Sequence, residues 1–188
     1  METPEQVAAA VRAAASGDDQ AWDALVERFN GLVWSVARGH RLSSTDAADV
    51  VQTTWLRLVE HLDRLRQPQQ VGAWLATTAR RESLRVLRLA TREQPRDEQV
   101  EFAADAPEDS PELVALAHER SALLWRSLEE LSPRCRRLLR VLMADPAPSY
   151  EEVSAALDMP VGSIGPTRGR CLDCLRRRLQ RAAVTAQA

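Results

Sequence analysis

A chain of 188 residues carries 25 basic side chains, every one Arg, against 27 acids, for a net charge of -2. Hydrophobic residues at 45% and charged residues at 28% are those of a globular protein with one or two modest cores, which excludes a wholly disordered or collagen-like chain. No apolar run approaches the roughly 18 residues needed to cross a bilayer, and Met1 to Gly17 lacks a basic start followed by an apolar stretch. Three Cys are too few for a disulfide scaffold and odd in number, in agreement with a reducing compartment, so a cytoplasmic location is expected.

In chain order the sequence reads as helix throughout. Thr3-Pro4-Glu5-Gln6 supplies an N-cap, a proline at the first helical position and a capping-box Gln, and Gly17 closes the first segment. Trp22, Leu25, Val26, Phe29, Leu32, Val33 and Val36 form one apolar stripe ending near Gly39. A third helix begins around Ser44 or Thr45 and turns Ala47, Val50, Val51, Trp55, Leu58, Val59 and Leu62 toward a core. Asp46, Asp49, Gln52, Thr53 and Arg57 lie on its opposite side. After a break at Pro68, a fourth helix runs from about Val71 to Leu89 and carries Arg80, Arg81, Arg85 and Arg88. Nothing alternates with period two, so no sheet is expected.

The charge is unevenly placed. Residues 1–92 balance at +1, residues 93–119 stand at -8 and residues 120–188 at +5. The acidic stretch holds three of the ten prolines and reads as a solvated tether between two helical units. Beyond it, Leu113 to Leu131 reads as an amphipathic helix. Ser132-Pro133 opens another, to about Met143, and Asp145-Pro146-Ala147-Pro148 breaks the chain. Ser149 to Glu152 forms a capping box with Val153, Ala156 and Leu157 as the apolar face. A turn over Asp158 to Gly162 follows, with Ser163 as N-cap of a last helix to about Ala182. Short helix, tight turn and long basic helix are the outline of a helix-turn-helix.

That last helix holds six Arg and one acid between Ser163 and Arg181. Ile164, Leu172, Leu175 and Leu179 make a stripe that can pack inward and leave the Arg outside. The start of such a helix meets base edges and its later basic residues meet phosphates, so Ser163, Gly165, Thr167, Arg168 and Arg170 are the base-reading candidates. Arg176, Arg177 and Arg178 are phosphate candidates, or a solvated helix end that complements the macrodipole. Gly165 and Gly169 cost about 1 kcal/mol each inside a helix, which calls for a close neighbour: a phosphate or the preceding helix.

No Ser/His/Asp set, paired carboxylate or Gly-rich phosphate loop is present, so no enzyme and no cofactor is expected. Cys171-x-x-Cys174, with Cys135, His40, His61 and His118 as possible partners, invites a zinc or redox reading, but it lies mid-helix rather than in a knuckle and a structural zinc site needs four ligands. The expected reading is therefore buried or half-buried thiols and no metal. The five Trp mostly fall on apolar stripes, as core residues.

Taken together, these motifs resemble a bacterial RNA polymerase sigma factor of the extracytoplasmic-function (ECF) type within the sigma-70 family. Asp46 to Leu58, DAADVVQTTWLRL, resembles the helix that docks on the β′ clamp helices, and Gly72 to Arg88 resembles the helix that reads the minus-ten element. LSPRCRRLLRVLM and SYEEVSAALDMPVGSIGPTRGRCLDCLRRRL resemble region four, which sits under the β flap and reads the minus-thirty-five element. The resemblance implies an all-α fold of two small domains. Residues 1–92 are expected as region two, 93–119 as an acidic flexible linker and 120–188 as region four with the helix-turn-helix. It implies a transcription-initiation role, with polymerase contacts at Asp46, Asp49, Gln52, Thr53 and Arg57. Minus-ten contacts fall on Trp74, Thr77, Thr78, Arg80, Arg81 and Arg85, and minus-thirty-five contacts on Ser163, Gly165, Thr167, Arg168, Arg170 and Arg177. Implied partners are core RNA polymerase, promoter DNA and an anti-sigma factor. The alternative is a stand-alone helix-turn-helix regulator that never touches polymerase.

Departures from the family pattern sit at Gly165-Pro166-Thr167, where a polar start is usual, and at Arg81 and Arg85, where Asn and Asp are frequent. Both Arg changes add positive charge. The stretch from Arg64 to Gln70, where a flipped base would be held, has no aromatic side chain to stack on, which implies weak melting and a demanding promoter.

Overall fold

The computed structural model describes residues 3–93 and 123–185, with side chains over 3–90 and 123–181. The acidic tether, His118 and the start of the Leu113–Leu131 helix lie outside the described residues. Among those described there is no strand. The helices are α1 (Pro4–Ala15), α2 (Asp19–Arg38), α3 (Ser44–His61), α4 (Val71–Glu93), α5 (residues 123–129), α6 (Pro133–Leu142), α7 (Tyr150–Leu157) and α8 (Val161–Thr185). Two short 3₁₀ turns, Leu62–Arg64 and Pro68–Gln70, link α3 to α4.

The caps are those that local chemistry dictates. Thr3 and Gln6 close a capping box on α1, and Ser149 and Glu152 close one on α7, each pair satisfying two backbone N–H groups that no helix carbonyl can reach. Asp18 Oδ1 accepts from the Ala21 N–H, and Ser43 Oγ from that of Asp46. Gly17 takes φ +89° at the α1–α2 turn, a conformation open to glycine without a Cβ penalty. The last helix begins at Val161, two residues before the expected cap. Ser163 is its third residue and donates its hydroxyl to Pro160 O at 2.8 Å. Pro166 consequently sits inside α8, where a proline removes one helix hydrogen bond.

A single apolar core runs through both halves of the chain. Val11, Phe29, Val33, Val36, Val50, Leu58, Val71 and Leu75 fill the N-terminal side, and Leu128, Leu138, Val141, Val153, Ile164 and Cys171 the C-terminal side. Helix α4 is the central element, with α2 and α3 against one face and α7 against another, while α6 lies on α2. Val59 departs from its expected inward position. It is 58% exposed, beside Leu56 at 56%, because the true apolar stripe of α3 passes through Thr54 and Leu58.

Three glycines define where the halves meet. A Cβ at Gly31 of α2 would run into the backbone carbonyl of Asp145. One at Gly39 would lie 3.3 Å from the Arg137 side chain, and one at Gly72 of α4 would strike the Glu152 carboxylate and come within 2.7 Å of Phe29. Across the same seam Arg80 Nη1 meets Asp158 Oδ2 at 3.1 Å. Asp158 holds a left-handed conformation, φ 55°, as the C-cap of α7.

His40 is buried at this seam, 8% exposed. Burial, the Arg137 guanidinium of α6 and the Arg80 guanidinium of α4 together lower its pKa to about 4. The folded protein therefore holds this imidazole neutral, whereas the unfolded chain takes up a proton near its ordinary value of about 6.5. The stabilisation is complete above about pH 6.5 and is lost as pH falls toward 4. Thermal melting followed from pH 7.5 to 4 is expected to show a drop in stability on the order of 3 kcal/mol from this residue, and the dependence should flatten in His40→Gln.

Candidate nucleic-acid and polymerase interface

The outer face of α3 carries a continuous exposed strip, Asp49, Gln52, Leu56 and Val59, set three or four residues apart and so on one side of the helix. Leu56 and Val59 were missed in the sequence because their apolar character assigned one to the core and gave the other no role. The other predicted residues of this helix are placed differently. Asp46 is half-buried and its carboxylate accepts from Ser43 Oγ at 2.8 Å, bracing the helix start. Thr53 is half-buried, and Arg57 reaches across to Glu82 at 2.8 Å.

Glu82 ties this face to α4. Its side chain is only 5% exposed, yet it receives Arg57 from α3 and Arg85 Nε from its own helix at 2.7 Å. The two Arg satisfy a carboxylate that would otherwise be costly to bury. Glu82 offsets only one of these two positive charges, so the trio keeps a net +1, and Arg81 and Arg88 are further exposed cations among the described residues of this helix. Trp74, Thr77 and Thr78 are half-buried. Thr78 Oγ1 donates to Trp74 O at 2.8 Å, and the Trp74 ring lies 6.1 Å from that of His61. Arg80 is engaged by Asp158 in the seam.

On α8 the predicted residues divide into two sets. Gly165, Arg168, Arg170 and Arg177 are exposed. Thr167 is only 5% exposed and accepts from Arg170 Nη2 at 3.3 Å. It shares the inward stripe of Ile164, three residues before it, and Cys171, four after, which is why a polar residue here does not face outward. Nothing lies within 4 Å of a Cβ built on Gly165 or Gly169, so packing on the preceding helix does not account for these glycines. Arg168 borders a groove of about 130 Å³ between α5, α6 and α8, lined also by Trp125, Leu139, Met143 and Leu172.

Two Arg of the run Arg134-Cys135-Arg136-Arg137 and its continuation belong to the core rather than the surface. Arg136 and Arg140 side chains are 4% and 5% exposed and both pair with Glu129 of α5. Arg140 also stacks over Trp125 at 5.3 Å. Part of the +5 charge of the C-terminal section is therefore used in packing α5 on α6.

The cysteines depart from the expected free thiols. Cys135 of α6 and Cys171 of α8 form a disulfide, Cα to Cα 5.3 Å, and Cys174 is free. The tight spacing of Cys171 and Cys174 draws attention in the sequence, but the fold brings together residues 36 apart. Among the described residues no cluster of His, Cys, Asp and Glu is arranged to hold a metal ion, and no helix is long and apolar enough to cross a membrane.

Residues 25–93, which span most of α2, all of α3 and α4, match the sigma-70 region 2 family. That places the fold and its exposed α3 and α4 faces among the proteins built on this region. The chain is 26% identical over 172 residues to the ECF RNA polymerase sigma-E factor of Escherichia coli K12, covering 87% of this chain and 89% of that protein. The Haemophilus influenzae protein of the same name is 22% identical over 87% of this chain and 90% of its own length. Among solved structures, CnrH in complex with the cytosolic domain of CnrY matches over 97% of this chain and 99% of its own, with a TM-score of 0.58 and 24% identity. The sigma factor RpoE bound to the anti-sigma factor NepR from Bartonella quintana matches over 84% of this chain and 97% of its own, at the same TM-score and identity. The chain thus contains a sigma-70 region 2 domain and is similar over most of its length to ECF sigma factors.

Proposed function

We propose that the protein directs core RNA polymerase to particular promoters at transcription initiation, as a non-catalytic subunit acting in the cytoplasm. The observation that carries this reading is the exposed α3 strip of Asp49, Gln52, Leu56 and Val59 within the region matched to the family. Two apolar side chains more than half exposed beside a carboxylate and an amide suit an interface with a protein.

The polymerase contact is assigned to Asp49, Gln52, Leu56 and Val59, with Asp46, Thr53 and Arg57 shaping the helix. Arg81 and the half-buried Trp74, Thr77 and Thr78 are assigned to the minus-ten element, together with Arg80 and Arg85 once the seam and the Glu82 pairs rearrange. At the minus-thirty-five element, Arg168 and Arg170 are the base readers and Arg177 a phosphate contact. The open space around Gly165 and Gly169 supports close approach of a DNA backbone, and Ser163 and Thr167 hold the helix rather than read it. This division takes residues 1–92 as region two, 93–119 as linker and 120–188 as region four.

With Arg80 paired to Asp158 and α7 seated on α4, one of the residues assigned to the minus-ten element is engaged within the seam. DNA engagement by both halves then requires them to separate, and an anti-sigma factor would act by favouring the closed form. Gel filtration of the chain with core polymerase is expected to give a single co-eluting complex; separate elution overturns the reading.

A further inference from the structure

We propose that Cys135 and Cys171 are a peroxide-responsive thiol pair, with Cys135 as the reacting sulfur and Cys171 as its resolving partner. The disulfide joins the first turn of α6 to the middle of α8. Cys135 is half-buried, whereas Cys171 is fully buried, so an oxidant from solvent meets Cys135 first. Cys135 also stands three residues after the Ser132 cap, with its N–H 3.4 Å from Ser132 Oγ. The positive end of the helix dipole there favours the thiolate, the form that attacks peroxide. Cys174 lies mid-helix in α8.

The reaction balances with hydrogen peroxide as oxidant. The Cys135 thiolate attacks one peroxide oxygen, the O–O bond breaks, and hydroxide leaves and is protonated to water. The resulting sulfenic acid is attacked by the Cys171 sulfur, the S–S bond forms, and the sulfenic oxygen leaves as a second water with the Cys171 proton. Two thiols are oxidised and one peroxide is reduced to two waters. A thiol reductant reverses the bond through a mixed disulfide.

The bond fixes α8 against α6 one turn beyond Thr167 and Arg168, so it sets how firmly this helix is held by the rest of the C-terminal half. The chemistry stands whether or not α8 reads DNA.

The test uses the full chain, reduced and freed of reductant, then treated with one equivalent of hydrogen peroxide and alkylated. Wild type is expected to lose two of its three reactive thiols, with peptide mapping placing the bond between Cys135 and Cys171 and Cys174 still alkylated. Melting should rise on oxidation and fall back with reductant. Cys171→Ser is expected to accumulate a sulfenic acid at Cys135 that a cyclic 1,3-dione traps, and Cys135→Ser to keep both remaining thiols. Bonds to Cys174, disulfide-linked dimers as the main product, or unchanged thiols in wild type would overturn the proposal, and the mapping in wild type needs no variant to fold.

Discussion

Asp49→Arg is expected to abolish co-elution with core polymerase, a loss of affinity of about 100-fold or more, while circular dichroism and melting stay those of wild type. The substitution sits at the N-terminal end of the exposed α3 strip. A reversed charge within an interface faces desolvation without its partner, at a cost of several kcal/mol. The fold is spared for two reasons. Asp49 is exposed and makes no ion pair among the described residues, and Arg is a better helix former than Asp. Unchanged affinity would reject the assignment of this face. Val59→Asp, on the same strip but away from Asp49, separates loss of one charge contact from loss of the whole surface.

Gly31→Val is expected to separate the two halves. A Cβ at this position meets the Asp145 carbonyl, backbone against backbone, so no side-chain rotation relieves the overlap. Overpacking of this kind typically costs about 1–3 kcal/mol, while Val in place of Gly within α2 gains helix propensity. The penalty therefore falls on the seam and leaves the helix itself intact. Small-angle scattering should report a larger radius of gyration, and melting should split into two transitions. A wild-type radius with one transition would show that the seam does not depend on this approach. The same separation should free Arg80 from Asp158 and so favour DNA binding.

The helices were largely legible because their boundaries are written in caps. Thr3 and Gln6, Ser132 with Pro133, and Ser149 with Glu152 each name a helix start by their own hydrogen bonds. The all-α class followed from periodicity alone. The exposed α3 face was legible only in its polar members, since a hydrophobic residue carries no mark that says whether it meets a core or a partner; hence Leu56 and Val59 were missed. On α8 the opposite error arose at Thr167, a polar residue facing inward.

Long-range pairings were not legible. The expected picture of two units held apart by a tether gave no hint of the seam, because the glycines that permit it look no different in sequence from Gly165 or Gly169, which have open space around them. Glu82 reads as one acid in a basic helix until Arg57 and Arg85 are seen to converge on it. Arg136 and Arg140 read as surface charge until Glu129 is found beside them. Cys135 was in view only as one possible partner of Cys171 and Cys174 among several, and at 36 residues' separation nothing in the sequence chose the pairing. In each case the missing information is tertiary distance, which neither composition nor spacing encodes.

The most direct measurement of the central claim is run-off transcription by core polymerase with and without this chain, on templates carrying candidate minus-thirty-five and minus-ten elements from the genome that encodes it. A transcript of defined length that depends on the chain, and that is lost with Asp49→Arg, is the predicted result. Core polymerase that binds the chain no better than an unrelated protein, and gives no chain-dependent transcript on any such template, would contradict it.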